Sequence, residues 1–537
     1  MTRCGTDPAR PLPERGEPPL PQTVETAQSA SNATGHRPGA FPPSILAGAD
    51  PGAAEVVAAL AGALASARAA RRSGGPAPRG TPAEVLAEAA GALGPPTLPE
   101  NGIGTDAALR RLATLLAEFG IDLSHPHAAA HLQPPPLAVA VAADALASAG
   151  NASLDTYDSA GSALAVERWV VRCLTRLAGL GTSADGVLTP GGSLSNLLGL
   201  LLARDSAARA HGVDVRDDGV AALPCPVVLC SELAHFSVHR ACAALGLGER
   251  AVRPVAVDAH RRMRPDALHP ALRAARGAGT PVAIVATAGS TDFGSVDPLP
   301  QLAEIAAEHG VWLHVDAAYG FGALFSDRLA DRLAGIELAD SITVDLHKVG
   351  WQPASASALL VGDAGGFQPL ERTVGYLNPA DDSDAGYDGL LGRSLQTTRR
   401  PDAVKVAATL LAHGRGGIGR MVEVCHDLAT HAQRRIAAEP ELELVAGAEL
   451  TTVVFRYRGG AAGDVGEDRL DRINGALRRR LLESGEALIG RTTVRERVCL
   501  KFTLLNPAAT PRDIDELIDR VLRAGRRGTG ETEEEAR

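Results

Sequence analysis

Lysine is almost missing from this chain. Of 53 basic residues among 537, Lys348, Lys405 and Lys501 alone are lysine, so arginine is used nearly everywhere else. A guanidinium stays protonated at any working pH and is no nucleophile, whereas a lysine amine can lose its proton when desolvated and attack a carbonyl. A lysine kept against that bias suggests chemistry, and Lys348 stands out, closing an apolar strand in Ser341 to Trp351 (SITVDLHKVGW). The plain alternative is a strand-end lysine reaching solvent. Long apolar runs are also absent: none free of polar residues and proline reaches the roughly 18 residues that span a bilayer, and the N-terminus has no apolar signal core. The seven cysteines form no CxxC pair and are odd in number, so neither a disulfide framework nor a zinc ribbon is indicated. A soluble protein of the reducing cytoplasm is expected. A positive field is lacking as well. The net charge of −10 and pI near 5.9 argue against partners held by such a field, nucleic acid or an anionic membrane, and leave a small molecule as the expected ligand.

What is present changes character along the chain. Residues 1 to about 45, rich in Pro, Gly, Ser and charge (PARPLPERGEPPLP), read as a disordered tail. Residues 46–150 read as an N-terminal helical arm, from Ala/Leu-rich segments such as LRRLATLLAEFG. After Gly181 short apolar runs alternate with helices: PVVLC, PVAIVAT, VWLHVD and SITVD, with LPQLAEIAAEHG among the helices. That alternation predicts a mainly parallel α/β sheet with helices on both faces, in a large domain over 151–399. ASALLV follows Lys348 too closely for a crossover helix and should pair antiparallel. Residues 400–525 read as a smaller α+β domain, and 526–537 as an acidic tail.

In open α/β sheets ligands sit at the carboxyl ends of strands. The residues just after the predicted strands are His235, Thr287 to Thr291, Asp316 and Lys348: an imidazole, an acid and an amine. VLTPGGSLSNLLGLLLARD adds a glycine-rich turn entering a helix, where free N–H groups and the dipole can hold a phosphate. It lacks the ending of a nucleoside-triphosphate loop. Together these are what pyridoxal phosphate needs: a lysine for the Schiff base, a carboxylate for the pyridine nitrogen, a ring over the cofactor face and a phosphate cradle.

With these parts in this order, the sequence resembles the group II pyridoxal-phosphate-dependent amino acid decarboxylases, which act on glutamate, aromatic amino acids or diaminobutyrate. The matching stretches are SLDTYDSAGSALAVE, TPGGSLSNLLGLLLAR, CSELAHFSVHRA, ATAGSTDFGSVDPL, WLHVDAAYG, ADSITVDLHK and SLQTTRRPDAVKV, within about residues 85–525. The resemblance implies an aspartate-aminotransferase-like (fold type I) fold with a seven-stranded-type sheet, a homodimer, and pyridoxal 5'-phosphate bound through Lys348. It implies Asp316 at the pyridinium nitrogen, His235 stacked on the ring, Gly192 and Ser193 at the phosphate, Thr291 and Ala318 along the ring, and His347 beside the substrate. Asp345 stands where relatives often carry Asn. Protonation of Cα falls in the family to a loop tyrosine; Asn378 to Leu395 has the make-up of a lid and offers Tyr387, with Tyr376 competing.

Details such as VDLHK and SLQTTRRPDA look most like the branch acting on 2,4-diaminobutyrate and lysine. An aromatic amino acid or glutamate is the alternative substrate; an aminotransferase, or a non-catalytic cofactor-binding homologue, is the alternative of another class. Two departures bear on pocket size: Val349-Gly350 follows the lysine, and alanine thins out the usual aromatics. Asp381, Asp382 and Asp384 form either a solvated acidic loop or an attractor for a side-chain ammonium. His125, His127 and His131 (HPHAAAH) lack a completing ligand, so no metal is expected. Lys405 and Lys501 read as snorkelling or paired surface lysines. Arg399 and Arg400 are either anion ligands or interdomain ion pairs.

Overall fold

The alternating apolar runs after Gly181 become strands of one sheet. The structure is a computed structural model that describes residues 42–459 and 466–534, so most of the tail expected over 1–45 lies outside the described residues. The strands are β1 (Asp185–Thr189), β2 (Pro226–Ser231), β3 (Val252–Val255), β4 (Thr280–Thr287), β5 (Trp312–Asp316), β6 (Ser341–Asp345) and β7 (Ser357–Val361), arranged β1-β7-β6-β5-β4-β2-β3. No helix separates β6 from β7, and β7 runs antiparallel to both its neighbours while the other pairings are parallel. β1 and β3 lay outside the expected set. β3 carries Arg253 and Pro254 and survives as an edge strand, where a missing N–H costs no ladder bond.

Because side chains alternate across a strand, each buried strand feeds two cores. Val228, Cys230, Ala283 and Val285 pack with helices Gly192–Ala210 and Ser237–Ala244 on one face. Val227, Leu229, Ile284 and Ala286 pack with Ser162–Leu177, Pro265–Ala278 and Leu299–His309 on the other. The result is three layers, with every parallel strand delivering its carboxyl end to the same edge.

The smaller sheet holds β8 (Leu442–Ala446), β9 (Thr452–Tyr457), β10 (Leu488–Val494) and β11 (Arg497–Thr503), packed against Glu467–Glu483 and Pro511–Glu534. Its outer strand comes from elsewhere: Ala128–Ala129 pairs in parallel with Leu488 and Ile489. A stretch placed in the N-terminal arm therefore completes the C-terminal sheet. Helix Pro511–Glu534 also runs on through residues that read as an acidic tail. Within the arm, Pro82–Leu93 starts on a Thr81/Glu84 capping box. Helix Asp50–Ala70 is long and apolar enough to cross a membrane by length and composition, and 6% of its apolar window is buried.

The chain entering the small domain is pinned by charge. Arg399 pairs with Glu167 at 2.8 Å with both side chains buried, so the interdomain alternative becomes an ion pair inside the large domain. Burial raises the Glu167 carboxyl above its ordinary pKa, against the opposing pull of Arg399. Arg399→Leu would strand a buried carboxylate and should cost about 3–5 kcal/mol in denaturant unfolding. Adding Glu167→Gln should recover most of that loss, and a single variant as stable as the parent would refute the assignment.

Candidate active site

At the common carboxyl edge lies a cavity of about 420 Å3. Nine of the ten sequence-predicted site residues line it: Gly192, Ser193, His235, Thr291, Asp316, Ala318, Asp345, His347 and Lys348. The topology explains the convergence. Asp316 and Asp345 end β5 and β6, His235 and Thr291 follow β2 and β4, and Gly192 opens the helix after β1. Tyr387 is not brought there. It is 55% exposed, and its ring packs edge-on against Tyr157 at 5.7 Å. Tyr376, at 84% exposure, also lies outside the cavity.

The lysine is held by a carboxylate. Lys348 Nζ lies 2.7 Å from Asp345 Oδ2, and Ser357 Oγ donates to Asp345 Oδ1 at 2.5 Å. Position 192 must be glycine for the same reason: a Cβ there would sit 2.7 Å from Asp345 Oδ1. His347 Nδ1 donates to the Ala356 carbonyl at 3.0 Å, which fixes its ring at the cavity rim.

Asp316 is held by residues that sequence reasoning missed. Its Oδ2 accepts from Asn196 Nδ2 at 2.9 Å and its Oδ1 from the Ala318 N–H at 3.1 Å. A carboxylate that accepts here fixes the Asn196 amide, whose Oδ1 then faces His314 Nε2 at 2.9 Å, so that nitrogen carries the proton. His314 Nδ1 accepts from Ser341 Oγ at 2.8 Å, and Ser341 accepts in turn from Trp312 Nε1 at 2.8 Å. Asn196 also donates to Ser237 Oγ at 2.8 Å, and Ser237 reaches His235 Nδ1 at 2.8 Å. His235 therefore accepts at Nδ1, and burial holds its pKa below the ordinary value against the pull of Asp316. Spacing could have revealed both partners. His314 lies two before Asp316 on one strand face, and Asn196 lies one helical turn after Gly192. Gly199, further along that helix, leaves room for the His314 ring, which a Cβ would meet at 2.6 Å.

The remaining lysines correct the surface reading. Lys405 and Lys501 are 1% and 6% exposed. Lys405 Nζ donates to the carbonyl of Ser355, which lines the cavity, and meets Asp402 at 3.0 Å and Asp144 at 3.3 Å. Lys501 Nζ pairs with Asp292 at 2.7 Å and reaches the carbonyl of Thr291, another lining residue, at 3.4 Å. Arg400 joins Asp144 at 2.8 Å. Asp381, Asp382 and Asp384 fall in a short helix, Ala380–Asp384, outside the cavity.

Residues 90–458 match the model of the pyridoxal-dependent decarboxylase conserved domain. The chain belongs to the pyridoxal-dependent decarboxylase family. L-2,4-diaminobutyrate decarboxylase of Rhizobium meliloti (strain 1021) is 43% identical over 427 residues, 79% of this chain and 83% of that protein. The enzyme of the same name from Acinetobacter baumannii is 35% identical, over 79% and 84% of the two chains. Among solved structures, the glutamate decarboxylase domain of the diaminobutyrate-pyruvate transaminase and L-2,4-diaminobutyrate decarboxylase of Vibrio parahaemolyticus superposes with TM-score 0.79 at 32% identity, covering 89% of this chain and 96% of that one. Mouse CSAD gives TM-score 0.79 at 27% identity over 88% and 99%. This decarboxylase thus has the fold-type-I architecture and is a pyridoxal-phosphate-dependent carboxy-lyase.

The cavity fits that cofactor. It offers an amine, a carboxylate, an imidazole, and a glycine turn that no side chain fills. Thr287 Oγ1, buried without a partner among the described residues, also lines it. Burial pushes His314 down to about 4 and likewise His127, whose ring nitrogens have no partner among the described residues. Imidazoles of the unfolded chain titrate near 6.5, so in the window between these values the unfolded chain binds more protons. Stability should be full above about pH 6.5 and fall as the pH drops toward 4. Melting temperature against pH reads this, His127→Phe should flatten part of the slope, and a level profile would contradict it.

Proposed function

We propose that this decarboxylase removes the α-carboxylate of an L-diamino acid, 2,4-diaminobutyrate first and lysine second, releasing CO2 and the diamine. The observation that carries the reading is the convergence of Lys348, Asp316 and His235 with the Gly192 turn on one cavity. The diaminobutyrate enzymes at 43% and 35% identity support the substrate. Chemistry adds to this: among the described residues those lining the cavity include no arginine, so they offer no guanidinium clamp for the distal carboxylate of glutamate.

In this reading Lys348 would hold the cofactor through its amine, with Asp316 as the partner of the pyridine nitrogen and His235 that of the ring. Gly192 and Ser193 would hold the phosphate, and Thr291 and Ala318 would line the ring. Bound there, pyridoxal phosphate supplies an electron sink for the pair left on Cα when the carbon–carboxylate bond breaks. Asp345 keeps Lys348 in place through their 2.7 Å contact rather than binding phosphate, which it would repel. His347, fixed by Ala356, borders the substrate. The proton that replaces CO2 on Cα comes in this proposal from Tyr387, with Tyr376 the second choice; both are exposed on the segment that reads as a lid.

We also propose a homodimer in the reducing cytoplasm. Val57, Leu64, Leu86 and Leu116 leave apolar surface open on the N-terminal helices, which a second copy would cover. The six described cysteines stand as free thiols, and burial pushes Cys230, Cys242 and Cys425 up to about 12. Light scattering should return twice the chain mass; a monomer at micromolar concentration would refute the dimer.

The deciding experiment measures CO2 release by cofactor-loaded protein from 2,4-diaminobutyrate, lysine, ornithine, glutamate, tyrosine and tryptophan, with the amine identified by mass. Release from a diamino acid is expected. Release from an aromatic acid alone would overturn the substrate, and keto acid in place of CO2 would overturn the reaction. Lys348→Ala should lose turnover and the visible absorbance of the bound cofactor together.

A further inference from the structure

A second, larger cavity of about 1060 Å3 lies apart from the first and shares none of its lining residues. Six arginines line it: Arg168, Arg172, Arg176, Arg216, Arg372 and Arg393. This concentration is unexpected in a chain of net charge −10. Four carboxylates share the walls, and three are already engaged. Asp185 and Glu371 both pair with Arg393, at 2.9 and 3.6 Å. Asp155 accepts from Ser153 at 2.6 Å and Ser159 at 3.0 Å.

Arg216 donates to the Glu371 carbonyl and Arg372 to those of Pro369 and Glu371, which leaves Arg168, Arg172 and Arg176. They fall at successive i, i+4 positions of helix Ser162–Leu177, on one stripe facing the cavity, and none makes an ion pair among the described residues. Like charges at that spacing repel along a helix, so the fold tolerates the stripe at a cost. The exposed pairs elsewhere show the usual remedy, a carboxylate four residues away, as in Arg110 with Asp106. Here that remedy is missing. Across the cavity Arg372 and Arg393 bracket the segment that carries Tyr376 and Tyr387.

We propose that this cavity binds a small polyanion carrying phosphate groups. Guanidinium forks match phosphate oxygens two at a time, and a stripe of three spans more than one phosphate. The Gly181–Thr182–Ser183 turn on the same wall adds hydroxyl and backbone donors. An occupant would join helix Ser162–Leu177 to both ends of the loop from Arg372 to Arg393 and so restrain it. The site shares no lining residue with the first cavity, although the loop it would restrain carries Tyr376 and Tyr387.

The test uses the holoenzyme and calorimetry at fixed ionic strength, titrating inorganic phosphate, pyrophosphate and ADP while the cofactor's absorbance reports that it stays bound. Saturable binding of pyrophosphate is expected, weakened about tenfold or more by Arg172→Gln and lost in Arg168→Gln/Arg172→Gln/Arg176→Gln. Tighter binding of ADP than of pyrophosphate would identify a nucleotide as the ligand; equal binding would identify the diphosphate group alone. Trypsin should cut the Arg372 to Arg393 loop more slowly in the presence of the anion. The triple variant should keep its cofactor absorbance and melt no lower than the parent, since it removes repulsion. No saturable binding by any of the three anions, or binding that survives the triple variant, would overturn the proposal.

Discussion

The site depends on keeping a carboxylate buried at the end of β5. Asp316 cannot remain there unless both oxygens are satisfied, because an uncompensated buried charge costs more than most single contacts return. One oxygen is met by the backbone of Ala318 and the other by Asn196. That second bond reaches far. It orients the Asn196 amide, which sets the tautomer of His314, which in turn is held by Ser341 and Trp312. The same amide steers Ser237 and through it His235. Acid, imidazole and sheet are therefore locked as one unit, and the neutral state of His314 is part of the lock: a second N–H on that ring would confront Ser341 with a donor where it now donates.

The network also explains where small residues are obligatory. The helix Gly192–Ala210 lies close enough to the strand ends for its amide to reach Asp316, and at that distance a side chain at 192 would collide with Asp345 and one at 199 with His314. Packing toward the sheet and the geometry of the cavity are thus the same constraint, seen from the helix and from the strands.

Much of this was legible in the sequence because it follows from period and order. Buried parallel strands read as short apolar runs, β7 as antiparallel from its short link, and His235, Thr291, Asp316 and Lys348 from their place after strands, while Gly192, Ser193, Ala318, Asp345 and His347 came from the family resemblance. What failed to show was non-local. Ala128–Ala129 has no strand signature and joins a sheet through β10, more than three hundred residues later. Asn196 and His314 look like ordinary helix and strand residues until β5 and the helix meet. Tyr387 was offered by a segment with the make-up of a lid, alongside Tyr376, yet nothing in a loop's composition fixes which cavity, or whose, its hydroxyl would reach.

Lysine scarcity carries a second lesson. The expectation that Lys348 was kept for its amine chemistry treated the other two lysines as incidental, but both are buried and both end on the carbonyl of a residue lining the same cavity. Arginine could not replace Lys405. Its ammonium meets three acceptors, the Ser355 carbonyl at 3.1 Å, Asp402 at 3.0 Å and Asp144 at 3.3 Å, and three N–H bonds arranged around one compact nitrogen suit acceptors that converge on a point. A planar guanidinium spreads its donors across a fork and needs room for it. Where acceptors lie side by side, as the Glu443 oxygens do for Arg497, this chain uses arginine. The choice between the two cations follows acceptor geometry at the supporting positions, and the demand for a deprotonatable amine applies at Lys348 alone.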